Sequence, residues 1–211
     1  MRILLSLACL FILEINCLGQ IRAVTGTGDE VILYNNGTWK YASKLDSVRE
    51  VPINPKKFTK GIGSTFQVKS NVMASVSIFI NPKVWSFEKV EGGAASEYKF
   101  LLKEKSAYGM MISEKISIPL ETLKSIALQN AKKAAPDIKL AKEEYRMVNG
   151  VKILFMQMDG TIQGVTFSYY GYYYSSKSGA LQLITYTSQD LLASYQTDLE
   201  TFLNGLVIAE N

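Results

Sequence analysis

Histidine is absent from all 211 residues, and the two cysteines, Cys9 and Cys17, both fall among the first nineteen. Without imidazole there is no Ser-His-Asp or Cys-His relay; without a later thiol there is neither a cysteine nucleophile nor a thiolate zinc site. No disulfide can form beyond the leader, so stability rests on apolar burial, which about 190 residues can supply. Charge of either sign is also scarce. Lys and Arg exceed Asp and Glu by four, too mild an excess for a nucleic-acid surface, and no basic stripe with interleaved aromatics is visible. No Asp-x-Asp-x-Asp-Gly loop gathers oxygens for a hard cation. No catalytic residue, metal or cofactor is therefore assigned.

What is present describes an exported folded domain. Hydrophobic residues make up 47% and aromatics 11%. Met1-Arg2, the apolar run Ile3 to Leu13 and the small residues around Gly19 read as a secretory signal over 1–19. The run is short for a permanent span, which needs roughly 20 apolar residues. Export to the periplasm or cell surface follows. Lipidation of Cys17 would be the one route to a membrane, and Ile15-Asn16 is a poor prelude to it.

Three stretches follow. Residues 20–42 read as a β-hairpin, with Val31 to Tyr34 turning through Asn35-Asn36-Gly37 into Thr38, Trp39 and Tyr41. Residues 43–63, rich in Lys, Pro and Gly, read as a solvated linker. Residues 64–211 form one domain. Strand-like runs at Thr65 to Lys69, Ser75 to Ile80, Glu97 to Lys103 and Tyr108 to Glu114 precede a helix from Pro119 to Ala135. Its stripe is Leu120, Leu123, Ala127, Ala131 and Ala134. A meander then runs through Leu140 to Val148, Val151 to Met158, Thr161 to Tyr174 and Ala180 to Tyr186. Its first turns are expected at Asn149-Gly150 and Asp159-Gly160, and a helix over Gln189 to Asn204 closes the chain. Ile153 and Phe155 face one way along their strand and Leu154, Met156 and Met158 the other, so both sheet faces need cover. The fold class is α+β, an antiparallel sheet flanked by helices as an α/β/α sandwich.

Asn81-Pro82-Lys83-Val84-Trp85, the helix opening Ile118-Pro119-Leu120-Glu121, the meander through Asn149-Gly150 and the ending Phe202-Leu203-Asn204-Gly205-Leu206 resemble the PsbP and Mog-type superfamily over about 66–208. That resemblance implies a small binding or assembly factor without catalytic apparatus; members include extrinsic photosystem proteins and a small-GTPase binder. Val31 to Tyr41 separately looks like the DGTW-type hairpin near the mature N-terminus of bacterial envelope proteins, with Asn36 at the Asp position.

Rival chemistries are weak. Ser86-Phe87-Glu88-Lys89 has S-x-x-K spacing and Lys177-Ser178-Gly179 resembles K-T-G, but the accompanying S-x-N element is missing. Glu143 and Glu144 are adjacent, so on a strand they point to opposite faces and cannot pair as glycosidase carboxylates. The richest stretch is Phe167 to Tyr174. With period two, Phe167, Tyr169 and Tyr173 share one face and Tyr170, Tyr172 and Tyr174 the other. One triplet is expected beneath a helix; the other is covered too, or offers flat rings with polar tips to a partner protein or a sugar. Tyr170, Tyr172, Tyr174 and Trp85 are the candidate binding residues. The expected function is an exported, non-enzymatic binding or assembly domain of the bacterial cell envelope, taking an envelope protein or a small ligand and no nucleic acid. The alternatives are a hydrolase using carboxylates or Ser and Lys, and a carrier of a small apolar ligand between sheet and helix.

Overall fold

The computed structural model describes residues 21–25, 30–42, 50–91 and 95–209. The expected leader, with Cys9 and Cys17, lies outside them, as do residues 43–49 of the expected linker.

Strands β1 (Ile21–Val24), β2 (Glu30–Leu33) and β3 (Trp39–Tyr41) form a small antiparallel sheet. Its β2–β3 turn contains Gly37 at φ 80°, and Asn36 Oδ1 accepts from the Thr38 backbone N–H at 3.0 Å, the local bonding that suits Asn to turns. The third strand adds what a lone hairpin lacks, and β1 lies against the first helix, with Val24 at the edge of that helix's core.

The remaining elements are β4 (Ile53–Phe58), β5 (Phe66–Lys69), β6 (Val76–Ile80), β7 (Trp85–Lys89), β8 (Tyr98–Leu102), β9 (Ala107–Glu114), α1 (Leu120–Ala134), β10 (Lys139–Val148), β11 (Val151–Ile162), β12 (Val165–Ser176), β13 (Gly179–Ser188), α2 (Gln189–Leu203) and β14 (Leu206–Ile208). Eight strands make the central sheet in the order β4-β10-β11-β12-β13-β9-β8-β7, and β14-β6-β5 make a smaller one. Every described pairing is antiparallel except β4 with β10.

Strand β4 corrects the expected linker. Its Pro55, Lys56 and Lys57 look like solvated chain, but an edge strand tolerates both proline and lysine. Only Phe58 is fully buried, one apolar residue being too little to show as a pattern. The meander needs a second correction. Asn149 and Gly150 do turn, at φ 48° and 91°, but Asp159-Gly160 continues inside β11, and the next turn falls at Gln163-Gly164, φ 50° and 81°. Gly160 serves a different purpose. A Cβ there would sit 3.2 Å from Ala135 Cβ and Ile138 Cα, so the glycine admits the chain leaving α1.

The two faces of the sheet are clothed differently. Phe155, Tyr170, Tyr172, Leu181 and Leu183 pack with Leu199, Phe202 and Leu203 of α2 and with Val68, Val76, Ile78 and Leu206 of the smaller sheet. The opposite face sends Leu154, Met156, Met158, Tyr173 and Ile184 against Leu123, Ala127 and Ala131 of α1. Gly205 closes the α2 side, but its described neighbours rather than a left-handed φ explain it: a Cβ would collide with the Phe79 carbonyl oxygen, and Phe79 N–H donates to Gly205 O at 2.8 Å. The α1-side core draws on β11, β12 and β13, with Met110 of β9 at its margin and no described member from β7 or β8. Among the described residues, none covers that end of the sheet face.

Candidate ligand-binding site

Strand alternation sorts the aromatic run as its period requires, and both triplets are largely covered: Tyr170 and Tyr172 on one face and Phe167 and Tyr173 on the other are buried, with Tyr174 and Tyr169 partly open. Tyr170 and Tyr172 are buried beneath α2, and Trp85 is buried with its ring 4.3 Å from that of Phe202. None of these three presents a face to a partner. The reason is composition: α2 supplies Leu199, Phe202 and Leu203 to this side, and large rings fill the space beneath. Tyr174 alone of the four stays partly open. It lines a cleft of about 680 Å³ with Lys115, Lys177 and Ser178.

The buried hydroxyls are absorbed by a charge network that patterning did not foretell. Arg146, 2% exposed, donates through Nε to Glu144 Oε1 at 2.7 Å, and its Nη1 lies 3.6 Å from Glu200 Oε1. Tyr170 donates to the same Glu200 oxygen at 2.6 Å, and Tyr172 to Asn204 Oδ1 at 2.7 Å. Asn54 of β4 donates to Glu144 at 3.1 Å, so the network also fastens the edge strand. Burial is the largest influence on the Glu144 carboxyl and acts upward. Hydrogen bonds from Arg146 and Asn54, with the charges of Arg146 and Lys142, outweigh it and hold the group below its ordinary value. Burial also pushes the Tyr172 hydroxyl up, to about 12. Glu144 and Glu200 thus converge, but each occupies its own guanidinium nitrogen as an ion-pair partner. Glu143 goes to the other face and meets Lys124 at 2.5 Å. Nor do the serine and lysine of the S-x-x-K and K-T-G-like elements meet. Ser86 and Lys177 line different cavities.

The part of the sheet face that no described helix covers carries a row of rings instead. Tyr169 of β12 is directly opposite Tyr186 of β13, which is directly opposite Tyr108 of β9, and Tyr108 is opposite Leu101 of β8. Tyr108 and Tyr186 stack at 5.3 Å with planes 23° apart; Tyr169 meets Tyr186 edge-on at 5.9 Å, and Phe167 meets Tyr169 edge-on at 4.9 Å. Directly opposed side chains are the closest cross-strand pairs, and offset or edge-to-face rings are the favoured aromatic geometries. Leu101 is 42% and Tyr108 43% exposed. Burial raises the Tyr169 and Tyr186 hydroxyls above their ordinary value, Tyr186 further through its two tyrosine neighbours. Tyr169 and Tyr186 are partly buried and Tyr108 is exposed, so the row is half dry.

A cavity adjoins each end. One, of about 280 Å³, is lined by Tyr108, Tyr186, Leu101, Ser86, Glu88 and Lys99. The other, of about 140 Å³ beneath α1, is lined by Tyr169, Tyr173, Met110, Met158, Ala131 and Gln182 among others. Flat rings flanked by hollows with a few polar groups are what a small-molecule site requires. Phe167, Tyr169 and Tyr173 belong to the stretch singled out from sequence. Tyr108 and Tyr186 come from strands 78 positions apart that are neighbours only because β9 pairs β13.

No family model matches the sequence, and neither does any curated protein. Solved structures do. The cyanobacterial PsbP (CyanoP) of Synechocystis sp. PCC 6803 superposes with a TM-score of 0.52 at 12% identity, covering 71% of this chain and 95% of that one. The fold is PsbP-like. LpqN of Mycobacterium tuberculosis, described as involved in cell envelope biogenesis, reaches 0.49 at 13% identity over 69% of this chain and 90% of its own. PA94 of Pseudomonas aeruginosa, a protein of unknown function, reaches 0.45 at 13% identity over 71% and 100%. At such identities the PsbP-like likeness concerns architecture and no residue's role.

Proposed function

We propose that the protein is an exported, non-enzymatic binding domain of the bacterial cell envelope whose tyrosine-lined sheet face holds a small ring-bearing ligand. The observation that carries this reading is the cross-strand row Tyr169-Tyr186-Tyr108, half exposed between two cavities. The leader pattern of residues 1–19 supports export. Non-enzymatic action is supported by the lack of histidine and by the engagement of Glu144 and Glu200 with Arg146. The row does what tyrosine does well, joining a flat apolar surface to a polar tip at little entropic cost.

The test is native mass spectrometry of the protein after incubation with envelope extract, beside Tyr186→Ala and Tyr108→Ala. A bound mass in the parent protein, lost from both variants at unchanged unfolding midpoint and recovered chemically unaltered, is the expected result. No bound mass, or one that both variants retain, refutes the site; a bound mass that is converted refutes the non-enzymatic assignment.

A further inference from the structure

We infer that the 140 Å³ cavity beneath α1 is an anchoring subsite for one six-membered aromatic ring bearing a single hydrogen-bonding substituent, a phenol-type group. The inference rests on the proposed reading for the ligand's approach along the tyrosine row. Size comes first: an apolar cavity of about 150 Å³ accommodates benzene, and this one is of that volume. The space exists because α1 presents Ala127 and Ala131, one turn apart on the stripe that elsewhere carries Leu123. The walls specify an aromatic occupant. Met110 and Met158 offer thioethers, which favour ring edges, and Tyr169 and Tyr173 offer rings.

The polar handle is Tyr173. Its side chain is wholly out of solvent, and its hydroxyl has no hydrogen-bond partner in the structure described. Buried hydroxyls are almost always paired, and an orphan calls for a missing partner. The hydroxyl is shielded as the fold stands, so a ligand oxygen in the cavity lined by this residue supplies a partner once the Tyr173 side chain gives way toward it; the buried amide of Gln182 and the exposed amide of Asn130 line the same space. The wall therefore discriminates phenol from both toluene and cyclohexanol.

The experiment is an NMR titration of the full chain carrying labelled methionine methyl groups, with phenol, toluene and cyclohexanol as probes. Phenol is expected to shift the Met110 and Met158 methyl signals and to bind about fivefold more tightly than toluene, the worth of one net hydrogen bond, and more tightly than cyclohexanol. Tyr173→Phe should reduce phenol to the toluene level while leaving toluene unchanged. Ala131→Leu should abolish binding of all three; if that variant fails to fold, Tyr173→Phe decides. Silence of both methyl groups, or phenol and toluene binding equally to the parent protein, overturns the subsite, as does a phenol preference that survives Tyr173→Phe. Equal binding of cyclohexanol overturns its aromatic character. Loss of the envelope ligand in Tyr186→Ala with no phenol binding sinks this subsite alone. Phenol binding by a protein that takes nothing from envelope extract sinks the wider reading and leaves the subsite standing.

Discussion

The Arg146 guanidinium lies 3.7 Å from the centroid of the Phe155 ring, and on its other contacts reaches Phe58 at 4.6 Å and Glu144 at 2.7 Å. Strand β10 supplies the cation, β11 and β4 the rings, and α2 the second carboxylate, so one side chain joins four elements. Removing it leaves the buried Glu144 with only the Asn54 amide and the exposed Lys142 ammonium as partners. Arg146→Ala is expected to cost about 3 kcal/mol, as broken buried pairs do, read as a lower urea midpoint. The double variant Arg146→Met with Glu144→Gln should recover much of the loss. A single variant within about 0.5 kcal/mol of the parent, the range of ordinary surface changes, would contradict this role.

Acid should loosen the same region. The Glu144 carboxyl is held below its ordinary value of 4.5 in the folded protein. The stability it contributes is therefore present above that value and lost as pH falls through the depressed folded pKa. Unfolding followed by circular dichroism from pH 6 downwards should show stability declining below about pH 4.5. In Glu144→Gln the parent's decline should be shallower, because one fewer proton is taken up on unfolding.

Alkali acts from the other direction. Tyr172, at 10.0 when free, is pushed up to about 12 by burial, with the charges of Glu200 and Glu144 adding to the rise and Arg146 opposing it. Its contribution is complete below pH 10 and disappears between 10 and 12, as the unfolded chain ionises first. Absorbance at 295 nm should show exposed tyrosines ionising first and a late group appearing together with unfolding. Tyr172→Phe should make the alkaline loss of stability less steep.

Gly205→Ala tests the seam between α2 and the smaller sheet. The added methyl meets the Phe79 carbonyl, a backbone atom that cannot swing aside, so β14 must part from β6 or α2 must shift. A loss of about 3 kcal/mol is expected, the upper end for overpacked sites. Gly150→Asn, at a φ of 91° with open space around it, should be far milder. Equal melting of the two variants would refute the contact as the cause.

Much of the frame was legible because local chemistry agrees with the tertiary structure. Glu121 lies in the first turn of α1 and Lys132 and Lys133 in the last, as the helix dipole favours, while Pro119 caps the helix one residue ahead of its first helical position. Asn149-Gly150 turns as its residue types demand. Asp159-Gly160 misled because two reasons for glycine, positive φ and close approach, look alike in sequence; here α1's exit decides. Period fixes only which residues share a face, not which face is covered, so Tyr170, Tyr172 and Trp85 read from sequence as candidates for a partner surface and are buried in the fold. The row Tyr169-Tyr186-Tyr108 is not legible in sequence because its members become neighbours only through strand register. Arg146 is no more legible: amid Lys142, Glu143 and Glu144 it reads as one more charge on a wet edge, and only α2 and β4 make it dry.

The unequal coverage of the two sheet faces divides the molecule's freedom to vary. On the α2 side each large residue is locked to several others, and drift there is checked by collapse of the whole. On the tyrosine side, Leu101, Tyr108 and Lys99 lie at the surface, and changes there leave the frame intact. Chains descended from this one can therefore diverge on that face and keep an almost identical skeleton, which makes shape a poor guide to occupation among them.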